Sequence, residues 1–128
     1  MFKQKSTFSL AIEEAIDNLI ETEQGFSISV IGDDMPSDGY MVGGFGFELR
    51  IKRRLLKGSR LVGDIADMLA RMEGKDGQFV GGWLSDSGDV CIDISECIKD
   101  KQFAIEMGIE HNQDAIYDIE RDLDIKLR

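Results

Sequence analysis

Histidine, tryptophan and proline occur once each in this chain of 128 residues, cysteine twice, and 15 basic residues stand against 25 acidic ones. Each scarcity excludes something. With His111 as the one histidine, a nucleophile–base pair has a single candidate base of that type. Its place at the expected end of a helix, where a cation suits the helix dipole, already accounts for it. Cys91 and Cys97 lie six apart in what reads as one strand, about 20 Å at strand rise. A disulfide needs Cα atoms within about 7 Å, so the two do not bridge within that strand. They also lack the C-x-x-C spacing of zinc and redox sites and read as small apolar fillers. With Pro36 as the lone proline and no Ser/Gly linker, residues 1–128 read as a single globular domain. No apolar run approaches the roughly 20 residues that span a bilayer, and "MFKQKSTFSLAIEEAIDN" meets acid too early for a signal peptide. The expectation is a cytoplasmic protein without a membrane partner.

Apolar residues make up 42% of the chain and charged ones 31%, a globular balance. The net charge of −10 is unevenly spread. The stripe from Arg50 to Arg60, "RIKRRLLKGSR", holds six basic residues and no acid, which leaves nine basic against 25 acidic elsewhere. Such a field repels nucleic acid except weakly at the stripe 50–60, and attracts a protein with a basic surface. Solubility is the plainer use of the same charge.

Ile12, Ala15, Ile16, Leu19 and Ile20 form a helical stripe, with Ser9 as its N-cap and Gly25 at its end. "FSISVIG" alternates as a half-buried strand, and "DDMPSDG" turns the chain. "YMVGGFGFELRIK" reads as one strand, with Phe45, Phe47, Leu49 and Ile51 on one face and Glu48, Arg50 and Lys52 on the other. A second helix begins after Ser59, places Leu61, Ile65, Leu69 and Met72 inward, and ends at Gly74. "KDGQ" leads into "FVGGWLSD", which pairs with "VCIDISECI" as a hairpin. Asp100 caps a third helix with Phe103, Ala104 and Met107 inward and Asn112 at its end; "AIYDI" and "LDIKL" follow as one bent strand or two short ones. The expected fold class is α+β, a mainly antiparallel sheet with helices packed on one face, in the order α-ββ-α-ββ-α-β.

Two Val-Gly-Gly-aromatic segments, Val42–Phe45 and Val80–Trp83, need an explanation, because glycine weakens strands unless another group must come close. The expectation is that both strands kink where a helix or aromatic ring crosses them, with Trp83 and Phe45 covering the spot. "GGFG" lacks the lysine and the strand-to-helix setting of a phosphate loop, and neither acidic turn matches a calcium loop, so no cofactor is called for. Asp93 shares a strand face with Cys91, Ser95 and Cys97, and is expected to be an ordinary solvent-facing acid. Were it buried, it would need donors and its pKa would shift. Asp118 raises the same question, and the two acids on neighbouring strands would be the basis of a metal-dependent hydrolase, the third reading.

"GYMV" (Gly39 to Val42), "GGW" (Gly81 to Trp83), "DIS" (Asp93 to Ser95), Ala104, Gly108 and "NQDAIYD" (Asn112 to Asp118), in that order, resemble a set of small phage- and prophage-encoded proteins of no established activity. The resemblance covers roughly residues 39 to 118 and implies an accessory gene of a mobile element, so the cytoplasm expected above would be that of the host. It implies no catalytic residue. The leading expectation is therefore a non-enzymatic, acidic interaction protein binding a host or phage protein, such as a nucleic-acid-binding component of a defence system that it inhibits. Its expected contacts are Glu106, Glu110, Glu120, Asp122 and Asp124. The alternative is a small-ligand or nucleotide binder using the glycine-rich strands with Tyr40, Trp83, Arg50, Arg53 and Arg54. The opposed charges also permit a homodimer.

Overall fold

The computed structural model describes residues 7–30, 35–71 and 77–128. In chain order the elements are α1 (Thr7–Thr22), β1 (Phe26–Ser29), β2 (Tyr40–Val42), β3 (Glu48–Lys52), α2 (Arg53–Leu56), α3 (Leu61–Arg71), β4 (Gln78–Leu84), β5 (Asp89–Ile98), α4 (Lys101–Glu110), β6 (Ala115–Asp118) and β7 (Leu123–Lys126). The strands form one antiparallel sheet in the order β1-β4-β5-β2-β6-β7, and β3 pairs with β5 on the same side as β2. The fold is α+β, as the hydrophobic patterns imply. The order differs from expectation in two places: three strands follow α1, and the short α2 precedes α3. Among the described residues no helix is long and apolar enough to cross a membrane.

β5 organises the sheet. Its even residues Val90, Ile92 and Ile94 bury against Ile12, Ile16 and Leu19 of α1 and Val62, Ile65 and Leu69 of α3. A smaller cluster of Val42, Ala104 and Ile116, with Tyr40 and Ile98 against it, seats α4 over β2 and β6. The register carries Ile98 onto Tyr40 and Tyr40 onto Asp118, so these side chains share the face of β5's even residues. The helices therefore lie on one face of the sheet. Each fully buried leucine or isoleucine contributes about 1.5–3 kcal/mol of transfer free energy, and this layer is the main source of stability.

Several local expectations shift by a residue or more. Ser9 lies inside α1 and donates to Asp67 Oδ1 at 2.5 Å, which ties α1 to α3; it is not the cap. Glu23, with φ 65°, ends α1 instead of Gly25, its N–H reaching Leu19 O at 2.9 Å. On α3 the inward residue is Val62, and Leu61 and Met68 are exposed, while Ser59 Oγ accepts the Leu61 N–H as a cap does. Met72, Gly74 and the start of the "KDGQ" turn lie outside the described residues, as do Asp33 and Asp34. Asp100 caps α4, accepting from the N–H groups of Gln102 and Phe103 at 2.9 and 3.2 Å. Phe103, expected inward, is 52% exposed; Ala104 and Gly108 face the sheet, where a Cβ on Gly108 would come within 2.5 Å of Leu127. Asn112 closes the helix with φ 60°. Cys91 and Cys97 are both free thiols on β5.

The largest departure is in "YMVGGFGFELRIK". It is not one strand. Val42 pairs with Glu96 and Glu48 with Asp93, so the five residues 43–47 stand opposite just two, Ile94 and Ser95. The result is a wide bulge pinned at its middle, where Phe45 N–H donates to Ile94 O (3.0 Å) and Ile94 N–H to Phe47 O (3.2 Å). Gly44, at φ +85°, makes the turn within it.

Candidate functional site

The odd residues of β5, Cys91, Asp93, Ser95 and Cys97, point away from the helices. Across β4 they meet Trp83, Gly81 and Phe79; across β3, Cys91 meets Arg50 and Asp93 meets Glu48. One transverse row thus reads Ser27, Gly81, Asp93, Glu48, and a second reads Cys97, Met41, Tyr117, Asp124. Between them lies a broad groove of about 590 Å³. Its walls carry five carboxylates, Glu23, Asp93, Asp114, Asp122 and Asp124, and no lysine, arginine or histidine among its described lining residues. Met35, Met41, Trp83 and Tyr117 give it apolar surface, and Trp83, 38% exposed, is the chain's sole tryptophan.

Asp93 departs from expectation. It is 8% exposed, not solvent-facing. Both Val-Gly-Gly segments converge on it. A Cβ on Gly43 would lie 2.1 Å from Asp93 Oδ2, and one on Gly81 would lie 3.2 Å from Oδ1 and 3.4 Å from Ser95 Oγ. The bulge brings Gly43 to one side of the carboxylate, and β4 brings Gly81 to the other. The expected cover by Trp83 and Phe45 is replaced by other groups. Gly82 lies beneath the Phe26 ring, whose atoms would come as close as 2.2 Å to an added Cβ, and Gly44 lies beneath His111 at 2.8 Å. Phe45 instead meets His111 edge-on at 4.5 Å, and His111 Nδ1 lies 3.2 Å from Gly43 O. Gln113 Nε2 donates to His111 O, completing the wall behind the bulge.

Burial, and then the like charge of Glu48, push the Asp93 carboxyl up to about 7, while the N–H of Gly44 donates to it and pulls the other way. Asp118 is buried too, but on the helix side, where its Oδ1 accepts the Arg121 N–H at 3.1 Å. Asp93 and Asp118 lie on opposite faces with β2 between their strands, so the two-carboxylate metal site of the hydrolase reading does not form.

The expected acidic contacts divide between the two faces. Asp122 and Asp124 line the groove, and Glu120 is exposed in the β6–β7 turn beside it; Glu106 and Glu110 are exposed on α4, on the helix side. Tyr117 donates its hydroxyl to Asp122, an arrangement that pushes the phenol up to about 12. Glu23 and Asp114 meet Arg53 and Arg128 at 2.8 and 2.9 Å, so at the groove's ends the acid is partly offset.

The residues of the nucleotide alternative do not gather. Tyr40 packs on the helix side, while Trp83 and Arg50 are on the groove side, two strands apart. Arg50 and Lys52 each meet Asp89 at 3.0 Å, and Arg53 also donates to Ile20 O; Arg54 is exposed on α2. Half of the basic stripe is thus engaged with the protein's own acids and carbonyls. No family model, curated protein or solved structure matches the chain.

Proposed function

We propose that the protein is a non-enzymatic acidic interaction module that holds a lysine- or arginine-rich segment of a partner protein in the groove on its helix-free sheet face. The observation that carries this reading is a concave surface with five carboxylate side chains and no cationic one among its described lining residues. Among the described residues, Asp122, Asp124 and Asp93 meet no cationic side chain there, so a cationic occupant supplies the missing charge. Met35, Met41 and Trp83 suit the aliphatic stems of lysine and arginine, which cover apolar surface while their heads reach acid. The net charge of −10 steers such a partner from a distance and makes capture dependent on salt. A basic surface that ordinarily holds nucleic acid has this chemistry. Together with the resemblance of its motif order to small phage and prophage proteins, it motivates the narrower reading of an inhibitor that occupies such a surface on a host or phage protein.

Decalysine is a sufficient first probe, with Trp83 fluorescence as the readout. Replacing Asp122 and Asp124 by lysine should weaken binding on the order of tenfold and flatten its salt dependence, a loss of about 1.4 kcal/mol. Replacing Glu106 and Glu110 on α4 removes the same charge from the other face and should matter much less. Equal losses in the two variants would reduce the effect to net charge and refute a groove.

A further inference from the structure

Resting on that reading of the groove, we infer that the Asp93 carboxylate is a recessed subsite for a single lysine or arginine head, which enters end-on from the groove toward the gap between Gly43 and Gly81. Three independent features point there. Asp93 is more than nine-tenths buried yet lines the groove. A carboxylate can accept about four hydrogen bonds, and among the described residues one donor reaches this one, the N–H of Gly44. The chain has also placed glycine on both sides of it, where any side chain would crowd the oxygens. A site whose neighbours are small and whose acceptors are underused fits a donor-rich cation, and an ammonium or guanidinium head supplies three to five N–H donors.

The other titratable or charged groups facing this point are Glu48 on β3, His111 and Asp114 between α4 and β6, Asp122 and Asp124 around β7, and Arg50 two residues from Glu48, held by Asp89. Glu48 adds to the attraction for a cation and disfavours a second negative charge at Asp93 when the groove is empty. Filling the subsite therefore requires Asp93 to give up its proton to solvent, because a neutral acid cannot pair with a cation. Capture is coupled to proton release, and affinity rises with pH as Asp93 ionises.

The experiment is calorimetric titration of decalysine into the full chain at pH 6 and pH 8, in two buffers of different ionisation enthalpy. About one proton should be released per peptide at pH 6 and almost none at pH 8. In Asp93→Asn the release should vanish and affinity at pH 8 should fall about tenfold. Gly81→Ala keeps the acid but narrows its approach, since the new Cβ would lie 3.2 Å from Oδ1, and should also weaken binding. It guards against a merely unfolded Asn variant, as does circular dichroism of both. If wild type, Asp93→Asn and Gly81→Ala bind alike with the same proton count, the subsite is overturned and the groove stands. If wild type does not bind decalysine at all, the groove reading falls and the subsite with it.

Discussion

Replacing Asp93 by asparagine makes a sharp test of the physics at the centre of this fold. The variant keeps the side chain's shape and an oxygen for the Gly44 N–H, and loses the ability to ionise. An unfolded aspartate ionises near 3.9, whereas burial and Glu48 push folded Asp93 up to about 7. Because its folded value is raised, the stability it lends is fully present below about pH 4 and is lost as pH rises to 7. Over that whole window the loss is about 4 kcal/mol, at 1.36 kcal/mol per pH unit, and about 2.3 kcal/mol of it falls between pH 5 and 7. Urea unfolding of both proteins at pH 5, 6, 7 and 8 isolates the effect, since every other titrating group is common to the pair. Wild type should lose about 2.5 kcal/mol relative to Asp93→Asn between pH 5 and 8. At about 4 °C per kcal/mol for a chain of 128 residues, the melting temperatures should diverge by about 10 °C. Parallel stability curves would show that Asp93 ionises as freely in the fold as out of it, and the account of the groove floor would be wrong.

Gly43→Ala places a Cβ 2.1 Å from Asp93 Oδ2 and 2.7 Å from Gln113 Oε1, so denaturant unfolding should show a loss of about 1–3 kcal/mol. Adding Asp93→Ala should recover part of it, and a double-mutant cycle with no coupling would contradict the convergence of the two residues. Asp100→Ala removes the side-chain acceptor at the start of α4 and should cost about 1 kcal/mol by the same measurement, whereas Asp100→Asn should cost much less. Ile16→Ala, in the fully buried stripe of α1, should cost about 2–5 kcal/mol, and a loss under 1 kcal/mol would mean that α1 is not part of the core.

The α+β class and the inward face of α1 were legible because hydrophobic periodicity is local: Ile12, Ile16, Leu19 and Ile20 announce a buried helix face before anything else is known. The alternation of β5 was equally plain, and so was the Asp100 cap, whose geometry spans three residues. Asp93 was misplaced because alternation divides a strand into two faces without saying whether the second is covered. Its cover comes from residues distant in sequence, Gly43 and Gly44 through a bulge and Gly81 through β4. No local signal reports such a meeting. A pointer was nonetheless present: Asp93 is the one charged residue between Val90 and Ser95, and two unexplained glycine pairs lay in the segments able to flank it. Phe103 shows the reverse case: helical spacing points this aromatic inward, but the close approach of α4 to the sheet admits only Ala104 and Gly108.

The bulge at residues 43–47 also bears on the order in which this chain assembles. β4 and β5 are joined by a tight turn, with Gly88 N–H on Ser85 O, and can pair after closing a short loop. β2 and β3 reach β5 only across an intervening stretch that includes α2, α3 and β4, so their contacts come at a higher entropic cost and are expected later. In the hairpin alone Asp93 is wet and ionised at neutral pH, and docking of the bulge strips its water. The proton uptake of folding thus belongs to a late step. The kinetic trace to look for is an unfolding rate that rises between pH 5 and 8 while the folding rate stays nearly constant, and a folding rate that carries the pH dependence instead would place the bulge in the nucleus.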